Sequence, residues 1–102
     1  MQLVKTRRAR GVFTVVAQTR QSQAATMTLR PGQSTGGADN VHPSADQWLY
    51  VVSGSGRAVV DGRALTLEAG SLLLIEAGER HEISNPQHEP LVTINVYAPP
   101  AY

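Results

Sequence analysis

Asp61-Gly62 stands between two apolar runs, RAVV at 57–60 and RALTLEA at 63–69. Both central residues of a tight hairpin turn need positive φ, so an Asp-Gly pair in this setting is a strong short-range hairpin signal. The remaining apolar runs follow the same short measure. VFTVVA (12–17), AATMTL (24–29), QWLYVVS (47–53), SLLLI (71–75), HEIS (81–84) and LVTINVYA (91–98) are rich in β-branched and aromatic residues. Pro31-Gly32, Gly54-Ser55-Gly56, Asn85-Pro86 and Pro99-Pro100 punctuate them. Roughly seven or eight short strands at intervals of about 8–12 residues, without a 3.6-residue period, predict an all-β sandwich or barrel.

The length of 102 residues fits one domain. Its core is expected over about residues 12–98, with a poorly partnered N-terminal strand and the tail Pro99 to Tyr102 outside it. The chain has no cysteine, which excludes a disulfide framework, a thiolate metal site and a cysteine nucleophile, and leaves nitrogen and oxygen ligands for any metal. That usage suits a reducing cytosol. No apolar run approaches the roughly 20 residues of a membrane-spanning helix, so a cytoplasmic protein without a membrane partner is expected. Nine basic residues against eight acidic ones give a net charge of +1. Lys5, Arg7, Arg8, Arg10, Arg20 and Arg30 all precede the first acid, Asp39. A basic run with so few interleaved aromatics reads as a solvated end, and no nucleic-acid partner is expected.

Two of the three histidines adjoin strand candidates, His42 in NVHPSADQWLYVVSGSG (40–56) and His81 in GSLLLIEAGERHEISN (70–85). Alternation along an extended chain lets Asn40 and His42 project to one side, with Gln47 joining them beyond Pro43 and His81 facing them from another strand. Two imidazoles and two amide oxygens would suit a borderline divalent metal: zinc, nickel, manganese or iron. The competing reading is a pair of hydrogen-bonded interior histidines lining a neutral pocket. Asp46 is one residue out of phase with Gln47 and is expected to point outward, as is Glu82 beside His81. Glu79 belongs to a turn. His88, in NPQHEP, reads as a solvated loop histidine. Trp48 and Tyr50 share the face opposite Gln47 and Leu49, which suits packing against a sheet or a second subunit. Tyr97 and Tyr102 are candidates to cover a barrel mouth or a partner. No serine sits in a nucleophile-elbow pattern.

These two segments resemble the paired motifs of the cupin superfamily, G-x5-H-x-H-x3,4-E-x6-G and G-x5-P-x-G-x2-H-x3-N, over most of the chain from Met27 onward. Gly70, Gly78, His81 and Asn85 fall on the second motif, with Glu76 where proline is usual. His42 and Gly54 fall on the first; Asn40 replaces its first histidine, Gln47 its glutamate and Ser34 its opening glycine. The resemblance implies a single-domain double-stranded β-helix, or jelly-roll barrel, and a homodimer. It also implies a divalent metal at the positions matching Asn40, His42, Gln47 and His81, and oxygenase or isomerase chemistry on a small-molecule ligand. Two other functions stay open: metal-free binding of a sugar or small acid, and a barrel serving only as an interaction scaffold.

Overall fold

The computed structural model describes residues 1–36 and 41–102. Asn40, placed in the site by spacing, lies outside the described residues. Among the described residues, eight strands form two antiparallel sheets: β1 (Phe13–Gln18), β2 (Gln23–Leu29), β3 (Asp46–Ser53), β4 (Ser55–Val60), β5 (Arg63–Glu68), β6 (Leu72–Ile75), β7 (His81–Ser84) and β8 (Leu91–Ala98). The larger sheet runs β1-β2-β8-β3-β6 and the smaller β5-β4-β7. The all-β expectation is met, and each strand falls within a residue or two of its apolar run.

Asp61 (φ 46°) and Gly62 (φ 80°) make the expected turn, so that Val60 pairs with Arg63 and the register carries on to Ser55 opposite Glu68. Gly54 turns β3 into β4 with φ 80°, and a Cβ there would come within 2.1 Å of the Pro90 carbonyl oxygen. Only glycine allows the two backbones to approach so closely.

Strict alternation sorts β3: Gln47, Leu49 and Val51 are buried, while Trp48, Tyr50 and Val52 are exposed. Across the β3–β8 ladder the inward partners are Tyr97, Asn95 and Thr93. Met27, Leu29, Leu49, Val51, Ala58, Leu67, Ile75, Ile83 and Leu91 form the apolar core between the sheets. Each fully buried aliphatic side chain there contributes about 1.5–3 kcal/mol relative to exposure. The inward side of β8 grades from Leu91 through Thr93 and Asn95 to Tyr97. One end of the barrel is therefore dry and the other lined with polar groups.

The first twelve residues differ from expectation. They hold a single 3-10 turn, Thr6–Arg8, and no strand, in keeping with a run dominated by Lys5, Arg7, Arg8 and Arg10. The first strand, β1, does have a partner: it pairs with β2 from Phe13 opposite Met27 to Gln18 opposite Gln23.

Candidate functional site

The polar end of the barrel holds a cavity of about 270 Å³. His42, Gln47, His81, Tyr97, Tyr102 and Phe13 line it above an apolar base of Met27, Leu29 and Ile83. Three of the four residues selected from the sequence thus meet in one place.

The turn before His81 holds the two histidine segments together. Gly78 N donates to the His42 carbonyl at 2.9 Å, and Ala77 N donates to Asp46 Oδ1 at 2.9 Å. Val41 bridges to Arg80 beside them. Asp46 points outward as its parity requires, and its carboxylate pins this turn. The rings of His42 and His81 come to rest 5.1 Å apart between centroids, inclined at 40°.

His81 is buried, and its Nδ1 lies 3.2 Å from the Glu79 carbonyl. A carbonyl only accepts, so Nδ1 carries a proton, which in the neutral ring leaves the lone pair on Nε2. His42 is half-buried, with Nε2 3.4 Å from the Tyr102 hydroxyl. Burial, and secondarily the proximity of His81, holds the pKa of His42 below its usual value and favours the neutral ring.

Gln47 reaches the cavity from β3. Its Nε2 donates to Asn95 Oδ1 at 3.1 Å, and Asn95 Nδ2 donates onward to Thr93 Oγ1 at 3.1 Å. This buried relay commits the amide nitrogen and leaves Gln47 Oε1 buried without a hydrogen-bond partner. An orphaned buried acceptor costs about 1–3 kcal/mol, which a cation or a ligand donor relieves.

Aromatic rings close the mouth. Tyr102 stands 4.8 Å from Phe13, 5.2 Å from Tyr97 and 5.4 Å from His42 between centroids. Burial is the main reason the pKa of Tyr97 rises, reinforced by the neighbouring Tyr102. Tyr102 is 61% exposed; its partial burial raises its pKa, with Tyr97 opposing the rise.

Among the described residues no group of three or more His, Cys, Asp or Glu side chains converges, and no Lys, Arg, Asp or Glu lines the cavity. Any ion here would rest on two imidazoles supplemented by oxygen donors. The ring spacing fits that role, since two imidazoles sharing an ion at about 2.0–2.1 Å per nitrogen have centroids roughly 5 Å apart. Gln47 Oε1 fits as a third donor.

The other candidates separate from the site. His88 is exposed on the loop between β7 and β8. Asn85 is structural: Nδ2 donates to the Leu29 and Glu89 carbonyls at 2.8 and 2.7 Å, and Oδ1 accepts from Gln87 N at 2.9 Å. Sequence reasoning missed Asn95 and Thr93. Their signal was polarity at two inward-parity positions of an otherwise apolar strand.

Residues 25–97 match the family model described as a cupin domain. The chain is 36% identical over 62 residues to the tetracenomycin polyketide synthase protein TcmJ of Streptomyces glaucescens. That match covers 61% of this chain but only 40% of the relative's length. Among solved structures, the Bacillus halodurans protein BH2720 superposes with a TM-score of 0.86 at 27% identity, over 95% of this chain and 76% of the other. A Klebsiella pneumoniae protein described as having a double-stranded β-helix domain gives a TM-score of 0.82 at 25% identity, over 97% and 90% of the two chains.

Proposed function

Since the chain belongs to the cupin family, we propose that its barrel end binds a divalent transition metal through His42, His81 and Gln47 Oε1, and a small molecule beside it. One observation carries the reading: Gln47, which lines the cavity together with both imidazoles, has a buried Oε1 without a hydrogen-bond partner. An ion there would supply Lewis acidity, polarising a substrate oxygen. The chain's own residues do the rest. The Glu79 carbonyl fixes the His81 tautomer, the Asn95–Thr93 relay fixes the Gln47 amide, and burial keeps the Tyr97 proton in place.

With only these three neutral donors, the ion would retain its charge and favour ligands offering anionic oxygens; among the described residues the cavity walls provide no Lys or Arg for them. Oxygenase or isomerase chemistry on such a ligand is the activity we favour. The stretch shared with the tetracenomycin polyketide synthase protein supports a small-molecule ligand.

A second reading, metal-free binding of a neutral ligand, draws support from the Tyr102 hydroxyl lying against His42 Nε2 and from the absence of Lys, Arg, Asp and Glu among the described lining residues. Elemental analysis of protein purified without chelators, followed by titration with Ni, Zn, Mn and Fe(II), separates the two. Stoichiometric uptake that His81→Ala abolishes and His88→Ala leaves intact is the expected result. No uptake of any of these ions, or equal loss in both variants, overturns the metal assignment.

We also propose a homodimer closed through the outer face of the larger sheet. There Trp48 pairs with Leu74 and Tyr50 with Leu72, leaving an exposed apolar row.

A further inference from the structure

A phenol oxygen stands beside the proposed ion site without being one of its three donors. Tyr102 Oη is 3.4 Å from His42 Nε2, long for a hydroxyl hydrogen bond, which prefers about 2.7–2.8 Å. Two donors each about 2.0–2.1 Å from one tetrahedral ion stand roughly 3.4 Å apart. The separation is that of neighbours in a coordination shell.

The placement of this oxygen is built in. Gln23, buried on β2, accepts from Ala101 N and Tyr102 N at 3.2 and 3.0 Å, and its Nε2 donates to the Tyr102 carbonyl at 2.7 Å. A buried side chain thus grips the main chain 79 residues away. Phe13 and Tyr97 pack on the Tyr102 ring from the other side. The two restraints direct the hydroxyl to His42.

From this geometry we infer that Tyr102 Oη is the fourth protein donor to the ion, with Gln23 as its positioning residue; the inference rests on the metal reading above. Coordination would release the phenol proton to solvent and leave a phenolate. Its negative charge is the one that the His42, His81 and Gln47 set lacks.

The test is a visible spectrum of the full chain loaded with Fe(III), together with Zn(II) affinity by chelator competition. The wild type should show a phenolate-to-iron charge-transfer band, which Tyr102→Phe abolishes and Tyr50→Phe, on the outer face, retains. Tyr102→Phe should also weaken Zn(II) at least tenfold while its far-UV circular dichroism stays unchanged. Gln23→Leu should diminish the band with the phenol still present.

No band in the iron-loaded wild type, or a Tyr102→Phe protein with unchanged band and affinity, overturns the inference and leaves the three-donor site standing. A band lost in Tyr97→Phe but kept in Tyr102→Phe gives the oxygen to Tyr97 and also overturns it. A wild type that takes up neither ion overturns this inference and the metal reading together.

Discussion

Gln47 and Asn95 both point inward from the neighbouring strands β3 and β8, and the 3.1 Å hydrogen bond from Gln47 Nε2 to Asn95 Oδ1 decides which end of the amide is left without a partner. The free end is an oxygen, the only amide atom with a lone pair suited to a cation.

Gln47→Glu should therefore raise divalent-metal affinity about tenfold or more, since it replaces a neutral amide oxygen by a negatively charged carboxylate. The same change removes the donor to Asn95 Oδ1, so metal-free stability should fall by about 1–3 kcal/mol. Chelator competition reads the first effect and urea denaturation the second. Unchanged affinity with the expected loss of stability would remove Gln47 from the site.

His42 makes stability depend on pH. Its folded pKa lies below the ordinary 6.5, so below about that pH the unfolded chain takes up a proton that the folded chain resists. Stability should be complete above pH 6.5 and decline on acidification through the depressed folded value. Urea midpoints measured across this range in metal-free protein should show the decline, and His42→Gln should flatten it. A midpoint rising on acidification would contradict the sign.

Gly54 and Gly62 share a φ of 80° but not their surroundings. Alanine at 62 meets nothing within 4 Å and should cost only the left-handed conformation, about 1–2 kcal/mol. At 54 its Cβ would also meet the Pro90 carbonyl, and the combined cost should reach about 3 kcal/mol or more. Thermal midpoints lower by on the order of 10 °C or more for Gly54→Ala, and by clearly less for Gly62→Ala, would bear this out.

The apolar outer row predicts a complex of twice the chain mass at micromolar concentration by light scattering. Trp48→Lys, at the centre of the β6-β3-β8 surface opposite Leu74 and Val96, should shift it toward monomer without loss of the folded spectrum. A monomeric wild type would refute the dimer.

Local pattern made the strands legible. The parity of QWLYVVS placed Gln47 and Leu49 inward and Trp48 and Tyr50 outward, and Asp61-Gly62 announced its own turn. His42 and His81 were legible as a pair because each sits at a fixed offset from a strand. The oxygen donors were harder to read. Which end of Gln47 is left unpaired depends on Asn95, 48 residues away, and the Tyr102 contact with His42 spans 60 residues. No spacing encodes such contacts; they arise only once β8 is threaded between β2 and β3. The tail 99–102, expected outside the core, has its last residue in the cavity wall. Its anchor, Gln23, looks in the sequence like an ordinary polar residue ahead of AATMTL.

Gln23 holds residues 101 and 102 by their peptide groups alone. The fastening is thus indifferent to which side chain residue 102 carries. Position 102 is in effect a socket at the barrel's rim: a histidine, a carboxylate or a plain hydrocarbon could be installed there on the same backbone path, and the chemistry of the opening exchanged while the strands that support it are left untouched.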